Sequence, residues 1–132
     1  MELMVAVAVV GILTTIALPA YQNYVLRGKL TEAFNAMTTC TMSLGRYYQD
    51  NRTFLGADQT KPPTCDVSTP NFTYQFKLSS TDYLVTAQGN ASSPVALFTF
   101  TIDNSGAHAT PYAPPGWMTS DKCWVISPSN CL

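Results

Sequence analysis

The chain has 132 residues, a formal net charge of -1 at pH 7 and only 11% charged residues. This length allows one small domain and an anchoring segment. The charge excludes the broad basic surface with which general DNA-binding proteins neutralise phosphates, but it leaves weak local DNA binding open.

The first predicted element is an apolar helix at the N-terminus. From Leu3 to Leu26 there is no Asp, Glu, Lys, Arg or His. At about 1.5 Å per helical residue this stretch can cross the hydrocarbon core of a bilayer. A cleavable secretory signal would need a basic n-region, whereas the sequence begins with Met and Glu. We predict a membrane-spanning helix over residues 1–24 and a globular head over residues 25–132.

Glu2 stands at the head of this uncharged stretch. A carboxylate carried to mid-bilayer costs roughly 2.5–3.5 kcal/mol, so such a residue lies at the interface or pairs with a cation. Two interpretations follow. Glu2 lies among the headgroups at the positive end of the helix dipole, or it docks onto a positive charge of another copy of the chain.

The helix is predicted to continue into the head as an amphipathic helix, about fifty residues in all. The positions of its core-facing side recur at steps of three and four: Leu30, Ala33, Phe34, Met37, Cys40, Thr41, Leu44, Tyr47 and Tyr48. The side predicted to face outward carries Lys29, Glu32, Asn35 and Gln49. Pro19 lacks an amide hydrogen and crowds the carbonyl of Thr15, so a kink or a loosened turn is expected there.

A loop over residues 49–69 is predicted to lead into an antiparallel sheet. Residues 72–78 alternate aromatic or apolar with polar side chains, which is typical of a half-buried strand. Further strands are expected over 83–88, 96–102 and, after a turn, 107–110. The expected fold class is α+β: a long helix packed on the aromatic face of a four-stranded antiparallel sheet. The Pro- and Gly-rich sequence beyond 110 is expected to be irregular.

Four cysteines, Cys40, Cys65, Cys123 and Cys131, follow the apolar helix. An even number in this setting indicates disulfides in an oxidising compartment, and the spacings lack the close pairs of a zinc site. Of three possible pairings we predict Cys40–Cys65 and Cys123–Cys131, because each closes a local loop.

The side of the membrane on which the head lies is indicated by two conflicting signals. Arg27 and Lys29 follow the apolar helix, and the positive-inside rule would place them in the cytoplasm. Disulfides require the opposite side, and they outweigh two basic residues.

The sequence offers no basis for catalysis or for a cofactor. His108 is the only histidine, and no Cys, Ser or acid stands at a recognisable motif spacing from it, so an exposed position on an edge strand is expected. Asp103 and Asn104 could be imagined as calcium ligands, but a hairpin turn explains them. We predict a non-enzymatic protein without a cofactor or metal site, in which Trp117 and Trp124 fill the core rather than act as adhesive anchors.

Residues 2–24, Glu-Leu-Met-Val-Ala-Val-Ala-Val-Val-Gly-Ile-Leu followed by Ala-Leu-Pro-Ala-Tyr-Gln-Asn-Tyr, resemble the N-terminal helix of type IV pilins. The resemblance implies that Glu2 pairs with the N-terminal amine of a neighbouring subunit. It also implies that the segment between Gly11 and Pro19 melts in the filament. Pilins lose a basic leader to a prepilin peptidase, which leaves a methylated aromatic residue four positions before the glutamate. Here only Met1 precedes Glu2, so leader cleavage and methylation are implied by the resemblance alone.

The C-terminal sequence resembles minor pilins more than major ones. Its features are Phe-Thr-Ile-Asp over 100–103, a Gly-Trp, a Cys-Trp and a late Cys. In pilins the terminal disulfide loop is an exposed, variable region that meets partners. The resemblance therefore implies a structural subunit, a minor pilin, that takes part in pilus assembly, adhesion or twitching motility.

The resemblance also implies partners and location. The partners are other pilins in a helical filament, the inner-membrane assembly machinery, and host or abiotic surfaces. The subunit would wait in the inner membrane with its head in the periplasm and then enter an extracellular filament.

Two alternatives stay open. One is a DNA receptor in natural transformation, for which the head offers few cations: Arg46, Arg52, Lys61, Lys77 and Lys122. The other is a pseudopilin of type II secretion, against which the four cysteines count because calcium often replaces disulfides in that group.

Overall fold

The computed structural model describes residues 2–59, 64–65, 67 and 69–132. It opens with a helix of 50 residues, α1 (Glu2–Asn51), and a short 3-10 helix follows at Ala57–Gln59. At 1.5 Å per residue, α1 is about 75 Å long, far longer than the helices of ordinary small domains. The single long helix predicted from the sequence is confirmed.

The strands form two antiparallel sheets. The larger has the order β1-β2-β3-β4, from β1 (Phe72–Leu78), β2 (Tyr83–Gly89), β3 (Thr99–Asp103) and β4 (His108–Tyr112). The smaller pairs β5 (Val125–Ser127) with β6 (Asn130–Cys131). The four-stranded antiparallel sheet is as predicted, whereas the small hairpin within the C-terminal disulfide loop was expected to be irregular.

The third strand begins at Thr99, three residues later than predicted. Residues 93–98 instead form turns, with Ala96 N donating to Ser93 O at 3.0 Å and Phe98 N to Val95 O at 2.9 Å. Gly89 allows this, because a Cβ there would overlap the carbonyl oxygen of Val95. The apolar run that resembled a strand is therefore a loop that buries two side chains in the core.

The fourth strand is longer than predicted and continues through Pro111 to Tyr112. A register shift between Thr99 and Thr101 places two residues of β4 opposite Phe100. Proline is tolerated here because β4 is the last strand of the sheet and carries a bulge.

The core lies between one side of α1 and the inner face of the sheet. Phe34 stacks on Trp124, with ring centroids 4.8 Å apart, and meets Phe100 edge-on at 4.9 Å. Trp117 is half-buried and meets Phe98 edge-on at 4.9 Å. Both tryptophans thus pack on the core, as predicted. The helix contributes Leu30, Ala33, Phe34, Met37, Cys40 and Leu44 to the buried cluster.

His108 and Glu32 are more buried than the sequence suggested. His108 is half-buried rather than exposed, because its ring stacks on Trp124 with centroids 3.9 Å apart. Glu32 was predicted to face outward but is half-buried, because Asn71 at the start of β1 reaches it.

Candidate assembly helix and exposed head surface

The N-terminal half of α1 is an uncovered apolar surface. From residue 3 to residue 25 its large apolar side chains are exposed, for example Leu13 at 61%. This far exceeds the apolar patches that soluble monomers leave in water. Within the described part of the chain, α1 is the one helix whose length and composition would let it cross a membrane. We call residues 3–25 the apolar segment; it needs either lipid or other protein chains as its surroundings.

The backbone of the apolar segment has a weak point before Pro19. Proline has no N–H to donate, so the carbonyl of Thr15 lacks its usual helical donor. One turn earlier, Thr14 and Thr15 donate side-chain hydrogen bonds to the carbonyls of Gly11 and Ile12, at 2.9 and 2.7 Å. The helix is nevertheless continuous here. Melting between Gly11 and Pro19 stays a prediction about the filament.

Gly11 and Glu2 are the other two positions for which the sequence predicts a role in assembly. A Cβ at Gly11 would meet no described atom within 4 Å, so nothing within the isolated chain requires a glycine there. Glu2 is the first residue of α1, and its docking role likewise stays a prediction.

An open groove lies at the neck, where α1 leaves the head. Its volume is about 460 Å³, and its walls include Tyr21, Leu26, Lys29 and Pro94. Lys29, predicted on the outward side of the helix, is half-buried here. The groove marks the boundary between the apolar segment and the packed part of α1.

A polar link fixes the helix to the sheet just above the neck. Asn71 Nδ2 donates to Glu32 Oε2 at 2.8 Å, and Ser93 Oγ donates to Asn71 Oδ1 at 3.0 Å. Glu32 Oε1 is buried and has no partner among the described residues. Burial raises the pKa of the nearby Tyr74; a hydrogen bond with Thr69 opposes this rise and the Glu32 charge adds to it. The link therefore holds the carboxylate of Glu32 between α1 and the sheet.

The first disulfide ties the loop after α1 to the helix. Cys40 and Cys65 are joined, with their Cα atoms 4.9 Å apart. In the same loop Phe54 is buried, stacked on Tyr48 at 4.6 Å and edge-on to Tyr83 at 4.9 Å. The loop thereby brings the end of α1 next to the start of β2.

The second disulfide closes the C-terminal loop. Cys123 and Cys131 are joined, with their Cα atoms 5.8 Å apart. Thr110 Oγ1 donates to Cys123 O at 2.9 Å and accepts from Val125 N at 3.0 Å. Trp124 Nε1 also donates to Thr101 O at 2.8 Å. The terminal loop is therefore fastened to the edge of the sheet and to the core.

Asp103 organises the turn between β3 and β4. Its Oδ1 accepts hydrogen bonds from Ser105 Oγ at 2.6 Å, Ser105 N at 2.9 Å and Ala107 N at 3.0 Å. The bond from Ser105 Oγ is the largest cause that lowers the pKa of Asp103, and the backbone bonds lower it further. Burial, followed by the charge of Asp103, raises the pKa of Tyr83. A hairpin turn accounts for these contacts.

Sequence reasoning missed two features of the head. One is the link from Glu32 to Asn71, which joins residues 39 positions apart and leaves no local pattern. The other is the exposed ring of Tyr112, on the outer face of the sheet. Strand alternation could have indicated that position, but the bulge in β4 shifts the alternation. Lys61, one of the candidate cations, lies outside the described residues.

Comparisons with known proteins place the chain among pilins. A family model described as type IV minor pilin ComP, DNA uptake sequence receptor, matches residues 19–124. The chain is 49% identical over 49 residues to the fimbrial protein EcpC of Eikenella corrodens, covering 37% of this chain and 32% of that protein. It is 37% identical over 71 residues to a fimbrial protein of Moraxella nonliquefaciens, covering 54% and 46% respectively. The chain thus spans less than half the length of these curated relatives.

A solved structure supports the fold assignment. The crystal structure of the non-core minor pilin PilV of Neisseria meningitidis superposes with a TM-score of 0.59 at 18% identity, covering 69% of this chain and 91% of that one. At this identity the likeness shows a shared fold. The family model over residues 19–124 makes the family assignment: the chain belongs to the type IV minor pilin family of ComP.

Proposed function

We propose that the protein is a minor subunit of a type IV pilus. The observation that carries the proposal is the apolar segment, whose described large apolar side chains are exposed while the head buries a core of its own. Such a segment can be covered by lipid or by the helices of sister subunits. The subunit would therefore wait in the inner membrane, with its disulfide-closed head in the periplasm, and exchange lipid for protein on assembly.

The assembly contact would be heterologous, with one surface of a subunit meeting a different surface of the next. Contacts of this kind build an open helical filament when the rotation between successive subunits does not close a ring. Glu2 would pair with the N-terminal amine of a neighbour, because a carboxylate among packed apolar helices requires a positive partner. The head would remain on the outside of the filament.

Glu2→Ala tests this assembly role. We expect the variant to fold and to remain in the membrane fraction while its amount in sheared surface filaments falls at least about tenfold, because the docking charge is lost. Val9→Ala, in the exposed apolar segment, serves as the matched control and should leave incorporation near that of the unaltered protein. Normal incorporation of Glu2→Ala would exclude the docking role.

DNA binding by the head is a second proposed function, favoured by the family model that matches residues 19–124. The chain carries 7 Lys and Arg against 8 Asp and Glu, so it can neutralise few phosphates. Binding would then depend on direct contacts with base edges and would show a shallow salt dependence. Lys77 is an exposed cation on β1, and Arg52 lies just after the end of α1.

Two DNA duplexes separate this function from filament assembly alone. One carries the DNA uptake sequence of the bacterium that produces the protein, and the other carries a scrambled version of it. We expect tighter binding of the first duplex by the full chain in detergent micelles. If Lys77 contacts a phosphate, Lys77→Ala should weaken the binding of both duplexes. It should also reduce by about one the slope of the logarithm of the binding constant against the logarithm of the salt concentration. Equal, weak binding of both duplexes would rule out a receptor role while leaving the pilin role intact.

A further inference from the structure

The outer face of the four-stranded sheet is built from uncharged polar side chains over most of its area. The register aligns Thr73 with Gln88, Gln88 with Thr99, and Thr99 with Tyr112. We call these four residues the outer row. With strands about 4.8 Å apart, the outer row spans about 14 Å across the sheet.

A groove opens at the β3–β4 end of the outer row. Its volume is about 420 Å³, within the size range of small-ligand sites. Gln88, Thr99 and Tyr112 line it together with Leu97. Tyr112 is 68% exposed and Leu97 60% exposed, so two large side chains stand uncovered beside it. An exposed aromatic ring next to hydrogen-bonding groups is typical of a recognition site.

The polar groups of the groove are available to a ligand. Among the described residues, none forms a hydrogen bond with the side chains of Gln88, Thr99 or Tyr112, whereas Thr73 Oγ1 donates to Asn90 Oδ1 at 2.6 Å. Gln88 offers two donors and an acceptor, and the hydroxyls of Thr99 and Tyr112 can each donate and accept. This mixture matches a ligand whose own groups also donate and accept.

The charges of the sheet lie far from the groove. Lys77 and Asp103, the charged residues on this face, are each four positions along their strands from the outer row. That separation is about 13 Å, which exceeds the Debye length of about 8 Å at physiological ionic strength. The groove therefore provides no cation for a phosphate or sulfate and no anion for an amine.

We propose that the groove and the outer row bind neutral oligosaccharides. A sugar ring would lie on the face of Tyr112, and its hydroxyls would hydrogen-bond with Gln88 and Thr99. The outer row would hold further sugar units towards β1. DNA and acidic glycans fit this surface poorly, because their charges would find no partner here. The site is separate from the apolar segment and from the cations considered for DNA, so it can fail or succeed independently of both proposed functions.

The test uses the full chain, labelled with ¹⁵N, in a detergent that has no sugar headgroup, since such a headgroup would itself compete. The probes are neutral hexasaccharides of glucose, mannose and N-acetylglucosamine, a hyaluronan hexasaccharide as an acidic comparison, and a duplex DNA. We expect at least one neutral probe to shift the backbone amide signals of Gln88, Thr99 and Tyr112 and to saturate below about 10 mM. Raising salt from about 50 to 500 mM should change its Kd less than twofold.

Variants then locate the site. Tyr112→Ala should raise the Kd for the neutral probe about tenfold. Tyr112→Phe should change this Kd by less than about threefold, because the aromatic ring is kept. Gln75→Ala is the matched control, an exposed glutamine on the same sheet face but outside the outer row, and should leave Kd unchanged. The proposal is overturned if no neutral probe binds, if Tyr112→Ala binds as tightly as the unaltered protein, or if only hyaluronan or DNA shifts these signals.

Discussion

The two halves of α1 have the same backbone and different surroundings. In the C-terminal half, Leu30, Phe34 and Met37 are buried against the sheet at steps of three and four residues. In the N-terminal half, Leu13 and Ile16 have the same kind of side chain, yet they are largely exposed and are not among the described residues of the core cluster. The apolar side of the C-terminal half is thus covered by the sheet, whereas the apolar surface of the N-terminal half is uncovered in the isolated chain.

The difference shows where each half obtains its stability. A helix in a soluble domain is held mainly by tertiary packing of one face. The C-terminal half follows that rule, whereas the N-terminal half is apolar around its circumference, as expected for lipid or for a bundle of like helices. Substitutions on the two halves should therefore affect different measurements.

The largest expected contrast is between Phe34→Ala and Leu13→Ala. Phe34 is buried between Trp124 and Phe100, so its truncation should lower the free energy of unfolding of the head by about 3–5 kcal/mol. Leu13 is 61% exposed and lies outside the described core cluster, so Leu13→Ala should change that free energy by less than about 0.5 kcal/mol. Urea unfolding in micelles, followed by tryptophan fluorescence, measures both. If both variants lowered the free energy of unfolding by similar amounts, the N-terminal half of α1 would contribute to the stability of the head.

The two disulfides give the next contrast, within the head. Removing Cys40–Cys65 by a double alanine substitution should cost about 3.5 kcal/mol, and removing Cys123–Cys131 should cost about 2.5 kcal/mol, because the first closes the longer loop. The same unfolding experiment reads both values. A larger loss from the C-terminal pair would show that the contacts of Thr110 and Trp124 with that loop depend on its closure.

Most of the fold could be predicted because its signals are local. The spacing of Leu30, Phe34 and Met37 indicated the packed half of α1, and the alternation of residues 72–78 indicated β1. The run 96–98 misled because burial of Val95 and Phe98 in a loop produces the same apolar composition as a strand. The position of His108 was missed because the ring that covers it, Trp124, lies 16 residues further along the chain, just before β5.

The candidate sites also differ in whether a local sequence signal indicates them. Glu2, Gly11 and Pro19 could be named from the sequence because they stand out in a local, pilin-like apolar stretch, and their roles stay predictions. The outer row could not be found, because its members come from four strands and meet only through the register. Long-range pairing of this kind leaves no periodicity in the sequence.

The link between Glu32 and Asn71 tests how firmly the packed half of α1 is held. Asn71→Ala removes the donor to Glu32 and the acceptor for Ser93, so we expect a loss of about 1–3 kcal/mol in unfolding free energy. Asn35→Ala, at an exposed position of α1, is the control and should lower the free energy of unfolding by less than about 0.5 kcal/mol. Adding Glu32→Met to Asn71→Ala should recover part of the loss, because the unpartnered carboxylate is then gone. No recovery would show that the carboxylate is not the source of the cost.

The smallest expected effect concerns pH, and it separates the head from the apolar segment again. The pKa of Asp103 is lowered in the folded protein, so its contribution to stability is complete above its unfolded pKa, near 3.8, and disappears as pH falls through the lower folded value. Asp103→Asn should therefore cost up to about 1 kcal/mol at pH 7, and the difference from the unaltered protein should vanish in acid. Asp121→Asn, at an exposed aspartate, is the matched control for urea unfolding at both pH values. Residues 3–26 carry no carboxylate, so with Glu2 replaced by Gln the membrane association of the apolar segment should not change over this pH range. A loss of association parallel to the loss of stability would mean that the two regions are coupled.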